Sequence, residues 1–277
     1  MPRLFTLGSS CPPEASVYDP PIQMGTILLF DIGNTHTHVG LGNDRRVLRQ
    51  INIPTRAWFD GGAAALLKPF LRGRRISGAA LGSVVPKATP FVRQFCRTQF
   101  KISCLALDHR TICVVGIDYP RPQTIGADRL ANAVAARSHF GAPVVVVDFG
   151  TAVTFDVVDA AGNYVGGIIA PGLAAMTDYL HEKTALLPRI KIREVKAVVG
   201  KNTEEAMLIG AVHGYRGLVR ELIRGLKIEL NVRKLPVVAT GGYAKLIAAG
   251  LSDIDAVEPS LTLEGLRIVQ KSHADEH

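Results

Sequence analysis

The chain lacks the features that mark membrane and secreted proteins. It has no apolar run near the roughly 18 residues that span a bilayer, and its N-terminus has neither the apolar core nor the cleavage site of a signal peptide. The four cysteines form no C-x-x-C pair and have no histidine at a zinc-ligand spacing, which argues against a metal site or a disulfide framework. We therefore expect reduced thiols, no membrane partner and a cytoplasmic location.

Aromatic residues are scarce too, which bears on the positive charge of the chain. The formal net charge is +8, yet the sequence contains one tryptophan and six tyrosines. Its basic residues occur in scattered groups and do not alternate with aromatic side chains, so a platform for stacking bases is not indicated. We expect no nucleic-acid partner, and a positive field would equally favour a small anionic substrate.

A short motif that occurs twice organises the rest of the sequence. Each copy has an apolar run, an aspartate, one spacer, a glycine and then hydroxyl residues; the copies cover residues 27–35 and 144–154 and contain Asp31 and Asp148. A short apolar run bounded by turn residues predicts a buried strand, so each aspartate should lie at a strand end. The aspartates lie 117 positions apart, which is too far for a solenoid repeat and indicates a duplicated domain.

The residue types in the two copies suit a nucleotide bound with its metal. A glycine lets a phosphate approach the backbone, and the hydroxyls of Thr35, Thr37, Thr151 and Thr154 can donate to phosphate oxygens. An aspartate beside such donors is a good ligand for a hard cation such as Mg²⁺. Either copy alone also fits an ordinary strand and turn, but the presence of both favours two hairpins that face one phosphate tail.

A third acidic residue lies at the predicted start of an alanine-rich helix. Gly126, Ala127, Asp128 and Arg129 precede and open this helix. Asp128 could simply cap the helix. Alternatively, the Asp128–Arg129 pair could present a base and an anion-binding group to one substrate.

Apolar patterns predict the remaining elements and the division into domains. Strands are expected at 39–41, 47–53, 76–85, 104–107, 154–159, 164–169 and 235–240. Helices are expected at 58–72, 89–99, 129–139, 172–187, 204–226 (with Thr203 as N-cap) and 261–269. This order indicates an α/β fold. We divide it into an N-terminal domain at 24–140 and a C-terminal domain at 141–270, with a flexible extension at 1–23, an alternative start at Met24 and a tail at 271–277.

Five ordered motifs resemble the type III pantothenate kinase family. They are Asp-x-Gly-Asn-Thr at 31–35, Gly-Ala-Asp-Arg at 126–129, Asp-Phe-Gly-Thr-Ala at 148–152, Gly-Lys-Asn-Thr at 200–203 and Thr-Gly-Gly at 240–242. The resemblance covers about residues 24–269. It implies two duplicated actin-like, ribonuclease H-like domains with ATP in the cleft between them. It also implies transfer of the γ-phosphoryl group of ATP to the hydroxyl of pantothenate, the first step of coenzyme A synthesis.

The resemblance also implies roles for individual residues. The expected ATP-binding residues are Asp31, Ile32, Gly33, Asn34, Thr35, His36, Thr37, His38 and Thr151. The expected pantothenate-binding residues are Tyr119, Gly126, Ala127, Asp128, Arg129 and Thr203, with Asp128 as the catalytic base. Asp148 matches the position that binds a monovalent cation, K⁺ or NH₄⁺, and Mg²⁺ accompanies ATP. The sequence departs from the family at His36 and His38, to which we assign no proton-transfer role.

The resemblance further implies a homodimer with the acceptor site near the subunit contact. The apolar pattern at 207–226 is one possible surface for that contact. Two other functions fit the same fold. The chain could act on another small alcohol or on a polyphosphate, or it could be a catalytically inactive accessory or regulatory protein.

Overall fold

The first β-sheet is built from the N-terminal part of the chain. The structure is a computed structural model, and it describes residues 25–275. The strands of this sheet are β1 (Thr26–Ile32), β2 (His36–Gly42), β3 (Val47–Pro54), β4 (Ile76–Ser83) and β5 (Leu105–Ala106), in the order β3-β2-β1-β4-β5. The predicted extension at 1–23 and the alternative start at Met24 lie outside the described residues.

A second sheet repeats this plan. Its strands are β6 (Gly116–Ile117), β7 (Val144–Phe149), β8 (Ala152–Val158), β9 (Asn163–Pro171), β10 (Val237–Thr240) and β11 (Ala256–Val257), in the order β11-β10-β7-β8-β9-β6. In the first sheet β1, β2 and β3 form an antiparallel meander and β4 runs parallel to β1. In the second sheet β7, β8 and β9 form the meander and β10 runs parallel to β7. The structure therefore contains the same unit twice.

Helices cover both faces of each sheet. They are α1 (Ala63–Leu71), α2 (Thr89–Phe100), α3 (Ala127–Phe140), α4 (Leu173–Lys183), α5 (Thr203–Ile209), α6 (Tyr215–Glu229), α7 (Ala244–Ala248) and α8 (Leu261–Asp275). A π-helical turn at Gly210–Gly214 joins α5 to α6, and short 3₁₀ helices lie at Thr55–Trp58 and Pro122–Thr124. No helix among residues 25–275 is long and apolar enough to cross a membrane.

Helices α3 and α8 lie between the two sheets. α8 packs against β1 and β4, α3 packs against β7 and β8, and the two helices pack against each other. Their apolar side chains form one core with the inner faces of both sheets, including Leu29 of β1 and Val146 of β7. A second core lies under α1 and α2, and a third lies under α6 and α7. The position of α3 matters because its first turn lies next to the carboxyl ends of β1 and β7.

The predicted elements correspond to those of the structure with small shifts at their ends, and the larger differences concern three helices and two short strands. The helix predicted at 58–72 is split, because the chain turns at Gly61, which has a φ of +74°, before α1 begins. The helix predicted at 172–187 ends at Lys183, and residues 184–202 connect it to α5 without a helix or strand. α8 continues to Asp275, so the tail predicted from residue 271 is helical there. β6 and β11 have two residues each, too few to leave an apolar pattern.

The proposed domain boundary at 140/141 does not separate the elements cleanly. β6 precedes that boundary but pairs with β9 of the second sheet. α8 follows the second sheet in the chain but packs on the first. The division into 24–140 and 141–270 therefore stays a prediction.

Gly265 allows α3 and α8 to approach closely, and its replacement tests this packing. A Cβ atom at Gly265 would overlap the carbonyl oxygen of Ala131. We expect Gly265→Ala to lower the free energy of unfolding by about 1–3 kcal/mol, as overpacking does elsewhere. Gly225 of α6 is the control, because a Cβ there meets nothing within 4 Å, so Gly225→Ala should be stabilising by about 0.5–1 kcal/mol. Urea denaturation measures both; equal effects of the two substitutions would contradict the packing argument.

Candidate active site

A cavity of about 610 Å³ opens where the carboxyl ends of β1, β4, β7 and β10 meet the first turn of α3. Ligands bind at the carboxyl ends of strands in many α/β proteins. Of the residues predicted to bind ligands, the cavity is lined by Asp31, Gly33, Asn34, Thr35, His36, His38, Asp128, Asp148 and Thr151. The two copies of the repeated motif therefore face the same space, as the sequence predicted.

Three carboxylates converge on this cavity and influence one another. Burial raises the pKa of Asp31 well above its usual range, and the nearby charges of Asp128 and Asp148 raise it further. Burial also raises the pKa of Asp148 to about 6, with a further contribution from Asp128. The pKa of Asp128 is raised by burial as well, although its hydrogen bond with the backbone of Arg129 acts in the opposite direction. Three acids held so close require a cation, or a proton, when the site is occupied.

The turns after the aspartates expose backbone to the cavity. In the first copy, the amide of Gly33 donates to the carbonyl of His36 at 3.0 Å and closes the hairpin, which leaves Asn34 and Thr35 exposed at its tip. In the second copy, Gly150 and Thr151 form the corresponding exposed turn. Each turn thus presents backbone and hydroxyl groups that can bind a phosphate.

Gly241 closes the cavity beside Asp148. It has a φ of +91°, and a Cβ there would lie 2.6 Å from the Asp148 Oδ1 atom, so the position requires glycine. Gly242 and Lys245 line the cavity next to it. A Cβ at Gly242 would meet nothing within 4 Å, so the backbone there is open to the cavity.

Two residues predicted for the first phosphate loop do not line the cavity. Successive residues of a strand point to opposite faces of the sheet, so His36 and His38 face the cavity while Thr37 faces the core. Thr37 is 0% exposed, and its hydroxyl lies 3.0 Å from the Thr55 hydroxyl and 3.1 Å from the Trp58 indole nitrogen. Ile32 is also fully buried. The side chains of Thr37 and Ile32 therefore do not face the cavity, and the contact of these two residues with ATP stays a prediction.

His38 lies in a row of polar side chains that crosses the first sheet. It pairs with Asp31 on one side and with Asn52 on the other. Its Nδ1 atom lies 2.6 Å from the Asn52 Oδ1 atom. Gln50 and Asn52 also line the cavity. These two residues were not predicted from the sequence. Their spacing of two positions on β3 places them on one face of the sheet and could have indicated them.

The first turn of α3 presents Asp128 to the cavity. Gly126 occupies the N-cap position, so Asp128 is not the cap and lies inside the first turn. Its Oδ1 atom accepts a hydrogen bond from the Arg129 amide at 2.9 Å. Gly126 and Ala127 do not line the cavity themselves; Ala127 is buried against Gly82. They set the position of Asp128 through the backbone.

Arg129 does not line the cavity, and its side chain is bonded to the second sheet. Its Nε atom donates to the Asp156 Oδ1 atom at 2.5 Å, and its Nη2 atom donates to the Phe155 carbonyl at 3.1 Å. Its guanidinium carbon lies 5.7 Å from the centre of the Tyr164 ring, and that ring packs edge-on against Tyr119, 6.2 Å between centroids. Arg129 and Tyr119 thus belong to one cluster beside the cavity.

Asn132 connects α3 to Asp148, and the sequence analysis did not identify it. Its Nδ2 atom donates to the Asp148 Oδ2 atom at 3.2 Å, and its Oδ1 atom accepts from the Thr262 hydroxyl at 2.8 Å. Residues four apart share a helix face, so Asp128 and Asn132 both face the site. That spacing was visible in the sequence, but the partner Thr262 lies 130 residues away.

Thr203 lies apart from these residues. It is exposed, begins α5 and does not line the cavity. The N-cap of α5 is Asn202, whose side chain accepts from the Glu205 amide at 2.9 Å, so the prediction that Thr203 caps the helix is wrong.

The carboxylates fit a cation that takes part of its ligands from a phosphate. Within residues 25–275 no three His, Cys, Asp or Glu side chains converge to hold a metal by themselves. Mg²⁺ characteristically binds one or two carboxylates together with substrate phosphates and waters. Asp31 and Asp148, beside two phosphate-binding turns, meet that requirement.

The duplicated sheets and the cleft between them define the class of actin-like, sugar-kinase-like proteins. The structure resembles a Sinorhizobium meliloti protein described as a 2-dehydro-3-deoxygalactonokinase (TM-score 0.55, 13% identity, 90% of this chain and 98% of that chain). It also resembles a conserved Campylobacter jejuni protein described as a Baf family transcriptional activator (TM-score 0.57, 19% identity, 90% and 99%). These likenesses confirm the predicted fold.

Sequence comparison identifies the family within this class. The model of the type III pantothenate kinase family matches residues 27–225. A type III pantothenate kinase from Akkermansia muciniphila is 49% identical over 244 residues, 88% of this chain and 97% of the relative. One from Methylacidiphilum infernorum is 43% identical over 246 residues, 88% and 87% of the two chains. The chain belongs to the type III pantothenate kinase family.

The raised pKa of Asp148 predicts how this residue affects stability. Because its pKa is about 6 in the folded protein against 3.8 ordinarily, the folded state binds the proton more tightly. The free energy of unfolding therefore falls as pH rises from about 4 to about 6 and stays lower above that window. We expect Asp148→Asn to be more stable than the wild type by roughly 2 kcal/mol at pH 7.5, and by much less at pH 4.

Urea denaturation across this pH range, without nucleotide or divalent cation, measures the difference. Asp44→Asn is the control, because Asp44 is exposed and outside the cavity lining. A stability difference between Asp148→Asn and the wild type that does not change with pH would contradict the assignment.

Proposed function

We propose that this protein transfers the γ-phosphoryl group of ATP to the hydroxyl of pantothenate, the first step of coenzyme A synthesis. The observation that carries the proposal is the convergence of Asp31 and Asp148, one from each half, on the cavity that Asp128 also faces. Family membership supplies the identity of the acceptor.

Asp128 is the group that accepts the hydroxyl proton in this proposal. It lies in the first turn of α3, and its pKa is raised by burial, which makes it a better base than an exposed aspartate. Phosphoryl transfer depends mostly on positioning and charge neutralisation. The turns at 33–35 and 150–151 would hold the phosphates, while Asp31 and Asp148 would hold Mg²⁺ and a monovalent cation, which offset the negative charge of ATP.

We assign the monovalent cation, K⁺ or NH₄⁺, to Asp148. The carboxylate of Asp148 is held by Asn132 at one end of the phosphate-binding turn.

A cytoplasmic location is part of the same proposal, since ATP is the donor. It is supported by the free thiols of Cys96, Cys104 and Cys113.

We also propose a homodimer, with a different contact surface from the one expected. Most apolar side chains of residues 207–226 pack in the core of their own chain, which leaves little apolar surface there for a contact. Large exposed apolar side chains instead follow β9, α4 and the connection to α5: Ile169, Met176, Tyr179, Leu180, Leu186, Val198 and Val199. Contiguous exposed apolar residues mark interaction sites. Thr203 lies at the end of this segment, so a second copy could bring it to the acceptor site.

Replacing Asp128 tests the proposed base. We expect Asp128→Asn to lower kcat by roughly 10² to 10⁴, because the hydroxyl proton loses its acceptor. The KM for ATP should change by less than about twofold, since Asp31, Asp148 and the two turns are intact. The assay is pantothenate-dependent ADP release, with exposed Asp60→Asn as the control. Wild-type turnover by Asp128→Asn would remove this residue from the mechanism.

The same assay separates the proposed function from its alternatives. The proposed kinase releases ADP only with pantothenate and loses activity when K⁺ and NH₄⁺ are replaced by Na⁺. A kinase for another alcohol would release ADP with that alcohol and not with pantothenate. A binding or regulatory protein would release none.

Charge placed on the exposed apolar surface tests the dimer. Leu186 is 89% exposed, and we expect Leu186→Asp combined with Tyr179→Asp to shift the protein from dimer to monomer and to lower kcat/KM for pantothenate. Ile228→Asp is the matched control, because Ile228 is 65% exposed on α6, away from this surface. Sedimentation equilibrium gives the mass of each variant. A double variant that remains dimeric would exclude this surface as the contact.

A further inference from the structure

Asp156 is a buried carboxylate that the proposed mechanism does not use. It lies in the middle of β8 and is 0% exposed. Its Oδ1 atom accepts from the Arg129 Nε atom at 2.5 Å and from the Tyr164 hydroxyl at 3.4 Å. Its Oδ2 atom is buried without a hydrogen-bond partner in the described part of the chain. A buried charge is retained at such a position only with a compensating partner, and here Arg129 is that partner.

Contacts on several sides hold the Arg129 guanidinium in its observed orientation. The edge formed by Nε and Nη2 is bonded to Asp156 and to the Phe155 carbonyl. The Tyr164 ring covers one face. On the Nη2 side, a Cβ at Gly167 would lie 2.6 Å from that nitrogen, so the backbone of β9 passes directly against the guanidinium. Within residues 25–275 the Nη1 atom has no such acceptor and is the group left to bind a ligand.

This arrangement orders an arginine that would otherwise have many conformations. A free arginine side chain loses rotamer entropy when it is ordered, and its planar fork loses less per hydrogen bond when it is already oriented. Arg129 also follows Asp128 in the first turn of α3, and the ion pair ties that turn to β8. The cluster ends at the exposed ring of Tyr119, which packs on Tyr164.

We propose that Asp156 is a positioning residue for the acceptor: it holds Arg129 so that Nη1 binds the carboxylate end of pantothenate beside Tyr119. This inference rests on the proposed function. Asp156 itself touches neither substrate nor phosphate. Asp156 orients Arg129, and its negative charge offsets the positive charge of the guanidinium. Arg129 therefore acts on the acceptor through a directed hydrogen bond.

The test is Asp156→Asn, which keeps the size of the side chain and removes its charge. We expect the KM for pantothenate to rise about tenfold or more, while the KM for ATP changes by less than about twofold and kcat by less than about fivefold. A purely structural role would instead reduce the active fraction and the melting temperature without separating the two KM values. Glu194→Gln is the control, because Glu194 also pairs with a buried arginine, Arg216, at 3.0 and 2.7 Å, and does not line the cavity.

A second variant covers the case in which Asp156→Asn does not fold, as judged by circular dichroism. Tyr164→Phe keeps the ring and removes the hydroxyl that donates to Asp156. We expect it to raise the KM for pantothenate about threefold with the KM for ATP unchanged. An unchanged KM for pantothenate in Tyr164→Phe would then overturn the inference.

Two results with folded Asp156→Asn would overturn the inference while the proposed function stands. One is an unchanged KM for pantothenate in an otherwise active enzyme. The other is a lower KM, which would mean that Asp156 only suppresses the charge of Arg129. A wild-type protein without pantothenate-dependent turnover would remove both the inference and the proposed function. This result differs from the two above, in which the enzyme still turns over pantothenate.

Discussion

Mutual repulsion among Asp31, Asp128 and Asp148 is the constraint on which the site depends. Burial alone disfavours each charged carboxylate, and their proximity adds to that cost. The three carboxylates are held together because the strands and the helix that carry them pack in hydrophobic cores outside the cavity. A buried carboxylate cluster of this kind favours a bound cation over an empty site.

Helix α3 connects Asp148 to Asp128 and Arg129, the residues proposed to act on the acceptor. Its first turn carries Asp128 and Arg129, and Asn132 one turn later reaches Asp148. Because α3 is packed between the sheets and against α8, movement of either half would act on these three residues together. Arg129 and Asn132 are each bonded to the second sheet, so α3 is tied to the half that carries Asp148.

The sequence predicted the fold and the three acids because both follow from local patterns. An apolar run that ends in Asp-x-Gly needs no partner to be recognised, and its repetition indicated the duplicated sheets. The burial of the Thr37 and Ile32 side chains was not foreseen, because the motif was applied residue by residue, without the alternation of side chains along a strand. Asn132 and Asp156 were missed for a different reason. Their functions arise only when α3 meets α8 and β8, and no short-range pattern encodes those contacts.

The most direct measurement is the crystal structure with Mg²⁺ and a nonhydrolysable ATP analogue. The account predicts the β- and γ-phosphates between the turns at 33–35 and 150–151, with Asp31 and Asp148 directed at the cations and the Asp128 carboxylate facing the γ-phosphate from the acceptor side. A nucleotide bound outside this cavity, or a phosphate tail that touches one turn only, would contradict it.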